Sequence, residues 1–276
     1  FMSVPLDDQV IDQFYAGEEI YLEDISPYAN EFVMLVSNAN EKKSALARYI
    51  NPHVPLEKVQ EYKDGIWGVR ARNKEQAFAL DILMNPEIPI VSLVGRAGCG
   101  KTLCAIAAGL EQVVGTNNYY SRLVVSRPVM PMGKDIGFLP GTLEEKMMPW
   151  IAPLRDNLEY LFGDKTALDI QMEQGIIEIE AMTYIRGRSI SNAFMIVDEA
   201  QNLTAHELKT IITRVGHGTK LILTGDIQQI DNSYVDAVSN GLTYAVEKFK
   251  EYEISGHVSL IKGERSKLAT LASEIL

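Results

Sequence analysis

In the stretch LVGRAGCGKTLCAIAAGL, Leu93 to Leu110, the residues Gly95, Gly100, Lys101 and Thr102 fall in the spacing G-x-x-x-x-G-K-[ST]. Glycines let backbone N–H groups turn inward around phosphate oxygens, and a helix starting just after them adds the positive end of its dipole. Lys101 is placed to reach β- and γ-phosphates and the Thr102 hydroxyl to ligate Mg²⁺. The run expected to contact a nucleotide is therefore Gly95, Arg96, Ala97, Gly98, Cys99, Gly100, Lys101, Thr102 and Leu103. With no nucleotide bound, the Lys101 ammonium is expected in solvent. The apolar run IPIVSLV before the loop and GKTLCAIAAGLEQVV after it supply the strand and the helix that this chemistry requires.

Two further strand ends carry matching residues. AFMIVDEAQN ends a buried strand at Asp198 and Glu199. Asp198 suits Mg²⁺ held through water, and Glu199 suits a group that polarises an attacking water. LILTGDIQQID ends another at Gly225 and Asp226, with Gln229 close behind, where a Gln can bond both a γ-phosphate and the attacking water. An ordinary polar turn is the plain alternative for each. The chain's two cysteines, Cys99 and Cys104, both lie in the loop–helix stretch, so a disulfide framework is excluded and a reducing cytoplasm fits. Cys99 at a helix start invites a redox-sensitive site; a small residue filling a tight loop is the simpler reading, and Cys104 reads as core. The four histidines, His53, His206, His217 and His257, have no zinc spacing.

The elements that position these residues alternate. NKEQAFALDILM reads as an amphipathic helix with Ala77, Leu80, Ile82 and Leu83 on its apolar side. RLVVS, GIIEIEAM, AFMIVDEA, KLILTGD and HVSLI read as strands, and TAHELKTIITRV and ERSKLATLASEIL as helices. Strands alternating with helices predict an α/β fold with a mostly parallel sheet covered on both faces. The first 66 residues differ: GEEIYLED, NEFVMLVSN, SALARYI and DGIWGVRAR read as short strands, hence a small β-rich module, or else an extended arm on the main domain. An insertion over residues 128–164 carries Pro128, Pro131, Pro140, Pro149 and Pro153, punctuation that predicts a loop, GKDIGFLPG, followed by helical pieces.

With 276 residues, 46% of them hydrophobic, the chain can bury a sizeable core, which excludes global disorder. A net charge of −11 argues against a generally basic nucleic-acid coat but leaves room for a local basic track. Every apolar run is cut by Gly, Pro or charge, so no membrane span is expected, and the start FMSVPLDDQV lacks the basic-then-apolar pattern of a signal peptide. Phe1 before Met2 suggests a piece of a longer chain.

The blocks RNKEQAFALDIL, VGRAGCGKTLCAIAAGL, SRPVMPMGKDIGFLPG, TYIRGRSISNAFMIVDEAQN, LTGDIQQID and GERSKLATLA resemble, in order, the PhoH family of ATPases, and the P-loop, DEAQ and GDxxQ elements resemble superfamily 1 helicases. The likeness covers residues 67–276 and implies a RecA-like ATPase domain there. It also implies that Gln76 recognises adenine, that ATP and Mg²⁺ are the cofactors, and that hydrolysis drives RNA or single-stranded nucleic-acid remodelling or unwinding in the cytoplasm. Some relatives carry an upstream PIN-type nuclease domain, which this chain starts too late to hold. Expected polynucleotide contacts are Lys134 and Phe138 in the GKDIGFLPG loop together with Arg127, Arg186 and Arg188. Too little chain follows Gln229 for a second RecA-like domain. A homo-oligomeric ring, most simply a hexamer, is therefore expected to close the cleft, with Arg265 reaching a neighbour's γ-phosphate. The competing expectation is a nucleotide-gated oligomeric scaffold that regulates a partner nuclease. A kinase sharing only the P-loop is opposed by Gln76 and by Asp226 to Gln229.

Overall fold

The computed structural model describes residues 1–116, 118–129, 142–185, 188–261 and 263. In chain order the elements are β1 (Met2–Leu6), α1 (Asp8–Ala16), β2 (Phe32–Ser37), β3 (Ser44–Arg48), β4 (Glu57–Lys58), α2 (Lys74–Met84), β5 (Ile90–Gly95), α3 (Lys101–Val113), β6 (Arg122–Arg127) and α4 (Leu143–Phe162). They continue with α5 (Lys165–Glu173), β7 (Ile177–Ala181), α6 (Met182–Ile185), β8 (Ala193–Val197), α7 (Ala205–Ile212), β9 (Lys220–Gly225), α8 (Gly241–Phe249) and β10 (Ser255–Leu260).

Six strands form one parallel sheet in the order β10-β5-β9-β8-β6-β7. The expected strands IPIVSLV, RLVVS, GIIEIEAM, AFMIVDEA, KLILTGD and HVSLI are all present. The middle of the sheet is buried on both faces, which is why β8 and β9 read as unbroken apolar runs instead of alternating. The P-loop strand β5 and the DEAQ strand β8 both border β9. Three strand ends with chemistry on them therefore lie side by side at the carboxyl edge, where ligands of open α/β sheets bind.

The N-terminal segment forms a separate sheet, β1-β2-β3-β4, with β1 parallel to β2 and the other pairs antiparallel. Two of its expected strands are present, β2 and β3. The expected strand at residues 17–24 is turn and irregular chain instead, and at residues 64–72 there is only an isolated bridge between Ile66 and Val69. The segment also holds a helix, α1, whose Ile11 and Phe14 fill the core under β2 and β3. One face of β2 is bound to the main body: Phe32 stacks on Phe78 of α2 with ring centroids 4.3 Å apart.

A buried polar network joins the two sheets. Arg48 donates from Nε to Asp81 at 3.1 Å and from Nη1 to the Asn30 side-chain Oδ1 at 2.6 Å, and it pairs with Glu57. Asn30 in turn donates to the carbonyls of Glu253 and Ser255, each at 2.7 Å. Nearby, the buried Lys220 donates to the carbonyls of Ile82, Asn85 and Ile88 at 2.8, 2.6 and 2.7 Å, closing the C-terminal end of α2. Burial pushes the Lys220 ammonium well below its ordinary pKa.

The insertion departs from expectation. Its prolines do not split it into pieces: Pro149 and Pro153 both lie inside the single 20-residue helix α4. Both face solvent, so water can satisfy the carbonyls their missing N–H groups release. Met147, Leu154 and Leu158 form a buried stripe on the other side, and a Thr142–Glu145 capping box starts the helix. The GKDIGFLPG loop with Lys134 and Phe138, Arg186, and the closing ERSKLATLASEIL with Arg265 lie outside the described residues.

Removing one partner of a buried ion pair leaves the other charge poorly compensated. Asp81→Ala is expected to lower the unfolding free energy by about 3 kcal/mol, read from urea denaturation. A loss below about 1 kcal/mol would mean that Arg48 is adequately satisfied by Asn30 and Glu57 alone.

Candidate nucleotide site

The loop from Gly95 to Thr102 turns between β5 and α3, with Gly98 and Gly100 at φ 83° and 88°. Those angles suit glycine and aim successive N–H groups into one concavity. Gly100 is the N-cap of α3 and has no side chain to cap it. By contrast α2, α4, α5, α7 and α8 are each capped by an Asn, Asp or Thr side chain. The first-turn N–H groups of α3 are thus left without a side-chain acceptor, as a phosphate site requires.

Lys101 is not in solvent. It is only 8% exposed, and its ammonium donates to the carbonyls of Gly95 at 2.6 Å and Arg96 at 3.0 Å, with the Cys99 sulfur at 3.7 Å. In this arrangement the ammonium holds the loop in the space between strand and helix, and phosphate oxygens would have to replace two carbonyls.

Asp198 joins the site. It is 1% exposed, and its Oδ1 accepts from Thr102 Oγ1 at 2.8 Å and from Thr224 Oγ1 at 2.6 Å. Its Oδ2 accepts from Arg127 Nε at 3.1 Å and Nη2 at 2.6 Å. One carboxylate therefore connects α3, β9 and the end of β6. Arg127, expected to meet a phosphate backbone, instead faces both acids, with Nη2 3.6 Å from Glu199, and its Nη1 reaches the Trp150 carbonyl on α4 at 3.5 Å. The other expected contact, Arg188, is engaged with Glu178 at 3.5 Å and Glu180 at 2.8 Å.

Glu199 has φ 55° and ψ 38°, a left-handed conformation uncommon for a residue with a side chain. Gln201, fully buried, supports it: its amide nitrogen donates to the Glu199 carboxylate and, at 2.9 Å, to the Gln229 carbonyl, while its oxygen accepts from Asp226 N at 3.2 Å. Asp226 accepts from Ala97 N at 3.0 Å, tying the GDxxQ turn to the P-loop. Gln229 itself is exposed at that turn. Sequence reasoning gave Gln201 and Thr224 no role; each lies within a quoted block, but nothing in its type marks it as central.

Gln76 sits at the start of α2 against the loop. It donates from Nε2 to the Cys99 carbonyl at 3.2 Å and accepts at Oε1 from Arg72 N at 2.8 Å. An amide has two N–H groups and two lone pairs, so one of each remains. That pair matches the N6–H/N7 edge of adenine and not the all-acceptor O6/N7 edge of guanine.

Hard oxygens at Thr102 and Asp198, 2.8 Å apart beside an uncapped helix start, fit a Mg²⁺–phosphate pair. Sheet order, loop and acid pair together define a P-loop NTPase of RecA-like fold. The chain belongs to the PhoH family, whose profile, described as "PhoH-like protein", matches residues 68–274. It is 47% identical to Protein PhoH2 of Bacillus subtilis over 100% of this chain and 64% of that protein. It is 39% identical to Protein PhoH2 of Thermobispora bispora over 84% of this chain and 52% of that protein. The chain thus spans about half to two-thirds of the length of these relatives. Among solved structures, the Pif1 helicase from Candida albicans is similar at a TM-score of 0.38 and 14% identity, covering 75% of this chain and 43% of that one. The Pif1 helicase from Bacteroides in complex with ADP-AlF3 and ssDNA is similar at a TM-score of 0.33 and 13% identity, covering 72% of this chain and 44% of that one. Among the described residues no helix is long and apolar enough to cross a membrane.

Both cysteines are buried, and burial pushes the Cys104 thiol up to about 12. Thiolate is the reactive form, which disfavours reaction at Cys104, and burial shields Cys99 from the reagent, so neither is expected to react with Ellman's reagent at neutral pH until the chain is unfolded in urea. Fast titration of one thiol in the native protein would restore the redox-sensitive reading of Cys99.

Proposed function

We propose that the chain hydrolyses ATP at the γ-phosphate with Mg²⁺, and that this drives remodelling of RNA or single-stranded nucleic acid. The observation that carries the reading is the convergence of Thr102, Thr224 and Arg127 on Asp198 beside the uncapped start of α3.

Phosphoryl transfer needs little covalent work from a protein, so positioning and charge do most of it. In this reading Lys101 exchanges its two carbonyl partners for β- and γ-phosphate oxygens. Thr102 and Asp198 would hold Mg²⁺, which would supply charge neutralisation for the transferring phosphoryl group. Glu199, held by Gln201, orients the attacking water and accepts its proton as ADP leaves. Gln229 adds a hydrogen bond to that water or to the γ-phosphate, and Gln76 selects the adenine edge. Arg265 of a neighbouring subunit is the proposed finger on the γ-phosphate, in a ring that is most simply a hexamer. Lys134, Phe138 and Arg186 are the proposed polynucleotide contacts, since Arg127 and Arg188 are taken up by acids of this chain, and the proposed setting is cytoplasmic. An upstream PIN-type nuclease would belong to a longer protein.

The hold of Arg127 on Asp198 and Glu199 favours a second reading. Acids pinned in this way suit a slow, nucleotide-gated scaffold whose partner nuclease does the work. Phosphate release from ATP, measured with and without single-stranded RNA at two salt concentrations, separates the two. The motor reading expects stimulation that falls as salt rises, and Glu199→Gln to bind ATP yet turn it over at least 100-fold more slowly, on the order of a lost general base. Turnover that ignores RNA at both salt concentrations supports the scaffold, and normal turnover in Glu199→Gln removes the role given to that residue.

A further inference from the structure

The cleft beside the P-loop is larger than the phosphate chemistry needs. Its volume is about 730 Å³, within the range of small-ligand sites. The loop and its helix line it with Gly98, Gly100 and Leu103, and α2 adds Gln76. A different part of the fold lines it as well: the turn at Trp67–Gly68 and, from the far end of α4, Tyr160 and Leu161.

That end of α4 is held firmly. Ile66 and Val69 exchange two backbone hydrogen bonds of 2.9 Å, and Trp67 and Gly68 between them have φ 48° and 79°. These are the marks of a tight two-residue hairpin turn. Trp67 Nε1 donates to the Leu161 carbonyl at 3.0 Å, and its ring lies 5.7 Å from that of Phe162. Ile66 belongs to the main core, so the turn is rigid and the helix end is fixed to it. Tyr160 precedes this anchor by one residue and stays 75% exposed, while Leu154 and Leu158 on the same helix are fully buried. A rigidly carried, water-exposed aromatic ring that lines a cleft is suited to a planar ligand.

We infer that Tyr160 is the stacking wall of a base subsite for the nucleoside triphosphate whose phosphates occupy Gly95 to Thr102. The helix of the insertion thereby supplies the base contact from within the same chain. This rests on the phosphate-site reading and deepens it. Stacking is indifferent to which base is present, because every base has a π-face, whereas Gln76 addresses the edge. Tyr160 therefore sets affinity for nucleosides as a class, and Gln76 sets the choice among them.

Equilibrium binding to the full chain without Mg²⁺, by calorimetry, tests this with three ligands: ATP, GTP and inorganic triphosphate. Tyr160→Ala is expected to weaken ATP and GTP by about ten-fold each, the scale of one lost base stack. Inorganic triphosphate should stay within about two-fold, and Tyr160→Phe should keep ATP within about two-fold of wild type, since the ring and not the hydroxyl stacks. Unchanged ATP affinity in Tyr160→Ala overturns the inference, and so does an equal loss of ATP and triphosphate, which would reveal a disturbed loop. Wild-type protein that binds neither ATP nor triphosphate overturns the phosphate-site reading itself.

Discussion

The Asp198 carboxylate is the constraint on which the site depends. A buried carboxyl group is costly unless it is fully bonded, and this one accepts from Thr102, Thr224 and the Nε and Nη2 of Arg127. Those donors come from α3, β9 and β6, so satisfying one carboxylate fixes the relative positions of the P-loop and two strand ends. The parallel order β5-β9-β8-β6 makes this feasible, because it puts all the contributing carboxyl edges within reach. Gln201 extends the arrangement by bonding Glu199, Gln229 and Asp226 with a single side chain. Asp226 then returns to the loop at Ala97.

Two outer structures bear on this centre without belonging to the sheet. The N-terminal sheet is joined to α2 and β10 by Arg48, Asp81 and Asn30, and α2 carries Gln76 to the loop. The insertion helix α4 touches the centre at two places, near its middle and at its C-terminal end. Its Trp150 carbonyl meets Arg127, and its last turn is fastened to the Trp67 turn at the mouth of the cleft. A change in the pose of α4 would therefore reach both the acid pair and the Trp67 turn that lines the cleft, through contacts that are a few ångströms long.

The centre was largely legible in the sequence because its chemistry sits at strand ends with fixed spacing. An apolar run followed by G-x-x-x-x-G-K-T, DEAQ or GDxxQ marks both the element and the exposed edge where it stops. What sequence could not convey was pairing across the fold. Arg127 reads as a phosphate-binding residue, and only the neighbouring strand end turns it toward Asp198. Gln201 looks like any polar residue until it is buried among three partners. Lys101 reads as free because its carbonyl partners lie in the backbone of its own loop. Pro149 and Pro153 read as breaks because the pattern does not say that both face water. The segment at residues 17–24 has strand-like composition but makes only a single strand-like contact, Leu56 N to the Ile20 carbonyl at 2.8 Å, and the nine-residue α1 buries just Ile11 and Phe14.

The most direct test of the central claim is binding of Mn²⁺, as a spectroscopic substitute for Mg²⁺, followed by electron paramagnetic resonance in the presence of ATP. The account predicts one bound Mn²⁺ per chain that requires nucleotide, and an affinity at least ten-fold weaker in Asp198→Asn, the order expected when a charged metal ligand is lost. Nucleotide-dependent Mn²⁺ binding that is unchanged in Asp198→Asn would contradict it.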